Sequence, residues 1–332
     1  MTNTQATLLL SRADVAATLS LDDCIAAVED AFRRHGEGKL APPRVLGMST
    51  TGGGFHIKTA VLERSAPYFA AKLNGNFPGN RQRFAMPTIQ GLIVLCDAGN
   101  GYPLAVMDSI EITILRTGAA TAVAAKHLAR PESTVATVWG CGRQGRVQLH
   151  ALSRVLPLQH VYAFDVNQEE AQRFARECSR DLKINVEAVV DREQAAAARK
   201  SDVCVTCTPS TKFFLHQDDV KPGTFVAAVG ADNETKQELD PRLLAANKVV
   251  ADIREQCAEI GELHHAVAQG LMQAQDVYAE LGELAAGRKP GRTTPQEITI
   301  FDSTGTALQD VAAAALVYER AMQEGRGRNF RF

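Results

Sequence analysis

Gly140, Gly142 and Gly145 stand in the spacing G-x-G-x-x-G, and an acid, Asp165, follows twenty positions after the last of them. That set suits the holding of a dinucleotide. Glycine at 140 permits a tight turn out of a strand, glycine at 142 lets the backbone approach a pyrophosphate, and glycine at 145 lets helix and strand pack closely. The helix start behind them offers free N–H groups and a partial positive charge to the phosphates. Asp165 would accept hydrogen bonds from the adenosine ribose. A carboxylate there attracts the ribose diol and repels a 2′-phosphate, which calls for an Arg directly after the strand. Val166 and Asn167 stand there instead, and the nearest Arg is Arg173. The spacing therefore predicts NAD in preference to NADP.

The elements that must position these residues are legible as an alternation. Strands are expected at Thr134–Trp139, His160–Phe164, Ile184–Val190, Asp202–Cys207, Thr224–Val229, Lys248–Asp252 and Glu297–Phe301. Helices, including Gln168–Arg180 and Arg192–Lys200, fill most of the gaps. Such alternation specifies an α/β fold with a Rossmann-type parallel sheet between helices. Ligands of these sheets sit beyond the C-terminal strand ends. The ends near Thr208, at Val229 and Gly230, and near Ser303 are thus expected beside the cofactor.

The first 110 or so residues have another rhythm. A helix at Leu21–His35 precedes strand-like stretches at Arg44–Met48, Gly54–Ala60, Tyr68–Asn74 and Ile89–Cys96, with a hairpin turn at Asp97–Gly101. Glu111–Ala129 reads as a helix stopped by Pro131, and Ala307–Glu324 as a final helix with no strand after it. That last helix is expected to return to the first domain. The division is then residues 1–115 with 306–332 as a smaller α+β substrate-binding and dimerisation domain, and 116–305 as the NAD-binding domain.

Four cationic positions of the first domain could grasp an anion: Arg44, His56, Lys72 and Arg116. Lys72 and Arg116 both lie in apolar surroundings, where a charge is costly without a partner. A structural ion pair would explain either alone. Together, a guanidinium and an ammonium suit a substrate carboxylate. In the second domain, Asp232 follows a strand end and is the candidate general acid/base, with a helix N-cap ahead of Gln237–Ala245 as the alternative.

The remaining composition narrows the classes. At 332 residues the chain fits two domains, and 45% hydrophobic with 22% charged residues is a globular composition with ample core. A net charge of −2 argues against nucleic acid or an anionic membrane as partner. No apolar run approaches the roughly 20 residues that span a bilayer, and Met1–Gln5 lacks the features of a signal peptide. Seven cysteines without regular spacing suggest reduced thiols in a cytosol. Cys204 and Cys207 form a C-x-x-C, but residues three apart on a strand point to opposite faces. Glu259, Glu262, His264 and His265 make at most half a metal site. No metal is expected.

These residues carry a resemblance. Arg44 after two prolines, Lys72–Asn80, Met86-Pro87-Thr88, Pro103–Asp108, Leu115–Ala120, Gly140–Gly145, Gly230-Ala231-Asp232, Lys236–Asp240 and Thr299–Gly305 together resemble the ornithine cyclodeaminase/mu-crystallin family nearly end to end. The resemblance implies a homodimer joined through the first domain and substrate contacts from Arg44, Lys72 and Arg116, with Arg116 also near the cofactor. It implies an acid/base at Asp232, and cofactor contacts from Thr88, Arg143, Gln144, Asp165, Thr208, Lys236 and Ser303. The family includes ornithine cyclodeaminases, alanine dehydrogenases, imine reductases and a vertebrate binding protein for thyroid hormone. Pro103–Asp108 and Thr299–Gly305 look closest to the archaeal alanine dehydrogenase branch. Where the cyclodeaminases carry an acid for the distal amine of ornithine, this chain has His56, and Asn233-Glu234-Thr235 lacks the usual Pro-Gly. The expectation is an NAD-dependent oxidoreductase acting on the C–N bond of a small amino acid or its imine, from an amino-acid, 2-oxo-acid or imine substrate. The rivals are a cyclodeaminase, which uses NAD catalytically, and a ligand-binding protein without turnover.

Overall fold

The computed structural model describes residues 6–64 and 66–331; Met1–Gln5, on which the expectation of no leader rests, lie outside them. The chain divides into two compact units, one running to Arg116 and resuming at Thr306, the other Thr117–Gly305. The boundary falls inside a helix.

The first unit contains β1 (Thr7–Leu10), α1 (Arg12–Thr18), α2 (Leu21–Gly36), β2 (Arg44–Thr50), β3 (Gly53–Leu62), β4 (Tyr68–Asn76), α3 (Asn80–Phe84), β5 (Ile89–Asp97), β6 (Pro103–Asp108) and the start of α4 (Ile110–Leu128). β2 to β6 form an antiparallel meander, and β1 joins β6 in parallel. Alternation along the strands gives the sheet a buried face carrying Ala60, Leu62, Ala70, Ile93, Leu95 and Met107. α2 begins at the Ser20 cap, with Asp22 and Asp23 in its first turn and Arg33, Arg34 and His35 in its last, matching the helix dipole at both ends.

The second unit contains β7 (Val135–Trp139), α5 (Arg143–Leu152), β8 (His160–Phe164), α6 (Gln168–Leu182), β9 (Asn185–Ala188), α7 (Gln194–Lys200), β10 (Val203–Thr206), β11 (Thr211–Leu215), β12 (Phe225–Ala228), β13 (Gln237–Leu239), α8 (Pro241–Ala245), β14 (Lys248–Ala251), α9 (Arg254–Ile260), α10 (Glu262–Ala268), β15 (Ala279–Glu280), α11 (Leu281–Ala285) and β16 (Thr299–Asp302). Eight strands pair in the order β15-β14-β16-β12-β10-β7-β8-β9, and every pairing is parallel. β10, β12 and β16 are buried at every position, as strands covered on both faces must be. From β7 the chain moves outward through β8 and β9, then returns to β10 on the other side. The crevice at such a reversal, here beyond β7 and β10, is where these sheets take ligands.

The chain then returns to the first unit as α12 (Ala307–Glu324) and β17 (Arg328–Phe330). α12 lies across β3, β4 and β5 and packs against α2. Its run of alanines lets it approach the sheet closely. Two expectations fail here. A strand does follow the last helix: β17 pairs antiparallel with β1, and neither short strand has enough residues to show a period. Gln237–Ala245 is not one helix, because Gln237–Leu239 is β13, paired in parallel with β11, and α8 starts only at Pro241 behind the Asp240 cap. Among the described residues no helix is long and apolar enough to cross a membrane.

Candidate active site

In the second unit, β7 delivers the chain into the glycine turn. Gly140 has φ +95°, and a side chain there would also meet the Cys207 carbonyl at 2.6 Å; both facts require glycine. A Cβ at Gly145 would enter the Gly140 carbonyl oxygen. At Gly142 an added Cβ meets nothing in the protein, and no side chain caps α5. The first N–H groups of α5 are therefore left for a ligand. Arg143 and Gln144 form its first turn. At the end of β8, Asp165 is fixed through both oxygens, Oδ2 accepting from the Cys141 N–H at 2.8 Å and Oδ1 from the Asn167 N–H at 2.9 Å. Gly140, Asp165 and Thr208 line one cavity of about 360 Å³, walled by Trp139, Phe164 and Phe214. Val166, which also lines it, is 96% exposed. No cation occupies the position after the strand that a 2′-phosphate would need. A mostly apolar cavity lined also by two carboxylates, Asp165 and Asp191, beside an uncapped helix start, fits a dinucleotide.

The loops beyond the other strands are tied by buried acids. Glu238 accepts from the Thr208 N–H (2.5 Å) and Oγ1 (2.7 Å) and from the Gly230 N–H (3.0 Å). Val229 bonds the Thr206 carbonyl. Ser303 Oγ donates to Asp252 at 3.1 Å. Past Gly230, an Asx turn made by Asn233 Oδ1 with Thr235 and Lys236 brings Lys236 Nζ to 2.6 Å from Asp232 Oδ1. Asp232 is half-exposed and caps no helix, since no helix starts within reach of it. Glu262 is committed to the backbone of Glu238 and Leu239, and His265 Nε2 to the Lys236 carbonyl.

In the first unit, Lys72 and Arg116 meet at a residue that sequence reading missed. Asp310, on α12, lies 2.6 Å from Lys72 Nζ and 3.2 Å from Arg116 Nε, and all three are buried. Arg116 Nη1 also donates to Gln309 Oε1 at 2.6 Å. The register sets Lys58 directly opposite Lys72, a like-charge pair that would repel without the carboxylate above it. Burial pushes the Lys72 ammonium down to about 7 against the pull of Asp310. Against burial, the charges of Lys72 and Arg116 hold Asp310 below the usual carboxylate range. The Gln309 amide nitrogen is buried and has no acceptor among the described residues. A cationic cluster with a spare donor is equipped to receive a carboxylate. The signal for Asp310 was its setting: a Gln-Asp pair in an otherwise apolar, alanine-rich helix.

His56 pairs with Asn74 two positions along the strands from Lys58 and Lys72, on the same sheet face, half-buried. Arg44 is not brought to this cluster. It pairs with Thr59, and strand alternation puts it on the opposite face, exposed. Thr88 precedes β5, its carbonyl accepting from the Phe77 N–H at 2.8 Å.

Known proteins match this chain along nearly its whole length. The model of the ornithine cyclodeaminase/mu-crystallin family matches residues 5–325. The alanine dehydrogenase of Archaeoglobus fulgidus is 40% identical over 327 residues, 98% of each chain. Among solved structures, an archaeal alanine dehydrogenase dimer with bound NAD superposes with a TM-score of 0.93 at 40% identity, over 98% of this chain and 99% of that one. The Δ1-pyrroline-2-carboxylate reductase of Thermococcus litoralis, in complex with NADH and L-proline, gives 0.91 at 33% identity over 98% and 100%.

Proposed function

The chain belongs to the ornithine cyclodeaminase/mu-crystallin family, and from that premise we propose that it is an NAD-dependent oxidoreductase working on the C–N bond of a small amino acid or the corresponding imine. The observation that carries the reading is the buried Lys72–Asp310–Arg116 cluster in a chain that also bears a dinucleotide turn. The first calls for a small carboxylate, the second for a redox cofactor.

The glycine turn, the start of α5 with Arg143 and Gln144, Asp165, Thr208, Gly230 and Ser303 would hold NAD, which when bound supplies or removes a hydride. Lys72 and Arg116 take the substrate carboxylate, the planar guanidinium fixing its plane and the ammonium adding charge. Asp232 gives a proton to the substrate nitrogen, or takes one from it or from attacking water. Lys236 sets the direction of Asp232 through the 2.6 Å contact at Oδ1. His56 offers no anion to the distal amine of ornithine, whereas its imidazole can donate to a second polar group of the substrate.

The assembly is a homodimer through the open face of the first sheet. Leu46, Ile57, Leu73 and Leu92 lie in one row across β2 to β5 and are 59%, 37%, 46% and 52% exposed. A contiguous apolar row of this kind marks an interface, and a second copy matches it best because the similar archaeal alanine dehydrogenase is a dimer.

The test is a turnover screen. NADH consumption is followed with pyruvate plus ammonia, other 2-oxo acids with amines, and cyclic imines, beside NAD with ornithine. Net NADH loss on a 2-oxo acid or imine supports the reading. Robust proline and ammonia release from ornithine without net NADH change would make the protein a cyclodeaminase, and ornithine use appearing only in His56→Glu would assign His56 the discrimination.

A further inference from the structure

Three of the candidate cofactor positions outside the glycine turn are each held by a buried acid: Thr208 and Gly230 by Glu238, Ser303 by Asp252. Glu238, on β13, joins two loops to neither of which it belongs, those that follow β10 and β12. It is fully buried, and burying a carboxylate is expensive unless donors surround it. Its donors come from both loops at once: the N–H and hydroxyl of Thr208 on Oε1, the N–H of Gly230 on Oε2. No side chain fits at Gly230, whose Cβ would enter that carboxylate. The strand that carries Glu238 is itself anchored, for Glu262 accepts the N–H groups of Glu238 (2.7 Å) and Leu239 (3.0 Å). Glu262 is held in turn, as the N–H groups of Glu262 and Leu263 end on Asp302 at 3.2 and 2.9 Å.

We propose that Glu238 is a positioning residue for the cofactor: its carboxylate spans the loops after β10 and β12 and sets Thr208 and Gly230 where NAD meets them. The proposal rests on the reading of those two residues as cofactor contacts. Only an acceptor at both oxygens can do this. A glutamine has one oxygen and one NH₂, so its amide would face one loop with a donor against donors and release it.

The groups facing Glu238 are Glu262 on α10 and the Cys207 thiol before Thr208, with Asp302 behind Glu262. Burial raises Glu238 above the ordinary glutamate range, opposed by the Thr208 and Gly230 donors. Burial, then the charge of Glu238, raises Glu262 further. A proton on Glu238 removes an acceptor from the clamp, so NADH affinity falls as pH drops into its range.

The experiment is a fluorescence titration of the purified protein with NADH from pH 8 to pH 5, with melting temperatures measured alongside. Glu238→Gln is expected to raise the Kd for NADH about tenfold, equivalent to about 1.4 kcal/mol, and to abolish the pH dependence seen in the unmodified protein. A Glu238→Gln variant that melts lower but keeps the unmodified Kd and pH profile would reduce Glu238 to a stabilising group and overturn the proposal. If that variant does not fold, Thr208→Val removes the clamp hydroxyl and should weaken NADH binding, while a flat profile in the unmodified protein overturns the proposal. Asp165→Ala, run in parallel, separates the two levels. If it weakens NADH binding and Glu238→Gln does not, the clamp alone is wrong. If neither does, the placement of the cofactor fails and the clamp with it.

Discussion

Lys72 shows how a residue's task depends on a neighbour far along the chain. Its ammonium is buried beside Asp310, and its pKa sits near neutral rather than near 10.4 as in an unfolded chain. Between those values the unfolded chain binds more protons, so this group makes the fold more stable as pH rises through that window. The grip on a substrate carboxylate proposed for it would run the other way. We expect kcat/KM for the substrate acid to fall as pH rises past neutrality while NADH affinity holds, and Asp310→Asn to move that fall to lower pH. Removing the counter-ion from two buried cations should cost about 3–5 kcal/mol in denaturant unfolding. Asp232→Asn should keep NADH binding and lower turnover about 10²-fold or more; near-normal turnover in the folded variant would remove Asp232 from the mechanism. Asp165→Ser with Val166→Arg should raise the affinity for NADPH relative to NADH in paired titrations, and the reading fails if the unmodified protein already prefers NADPH. Lys72 and Arg116 were legible as costly charges in apolar runs. Asp310 was not, because no local pattern links it to Lys72, 238 positions earlier. Arg44 was legible as a cation but not its face, which only the pairing with Thr59 decides.

Seven strands of the second unit, β7 to β10, β12, β14 and β16, were legible to within a residue or two because each is a short apolar run closed by turn residues. His160–Phe164 falls where the pattern sets it, as does the helix Ala307–Glu324 of the first unit. β13 and β17 were not legible, since three residues cannot display a period and their state is decided by the strands they join. The misreading of Gln237–Ala245 has a specific cause. Lys236 to Leu239 are good helix formers, yet the start signal lies later, in Asp240 as cap and Pro241 at the first helical position. The glycine turn is the element whose local rule and tertiary role agree most closely. Gly145→Ala would drive a methyl into the Gly140 carbonyl, so the strand–helix junction must open. Overpacking of this kind costs about 1–3 kcal/mol, and NADH binding should be lost while the circular dichroism spectrum is retained.

At the scale of the whole molecule, the open face of the first sheet and the interrupted first unit matter most. Leu92→Lys would place a charge in the middle of the apolar row. Sedimentation should then report a monomer where the unmodified protein is expected to sediment as a dimer; an unchanged dimer would move the interface elsewhere. The strand-like stretches predicted β2 to β5 of this unit, but not β1, β6 or β17, nor which face would stay bare, because that depends on where α12 lands. The return of α12 has a consequence for how the molecule is made. All residues through Gly305 leave the ribosome before Asp310 does, so the second unit is complete while the first still lacks the helix that closes it. Until then Lys72 and Arg116 have no counter-ion from α12, and the alanine-rich helix cannot cover β3, β4 and β5. The nascent chain therefore has a built-in order, in which the second unit can mature first and the first waits for α12.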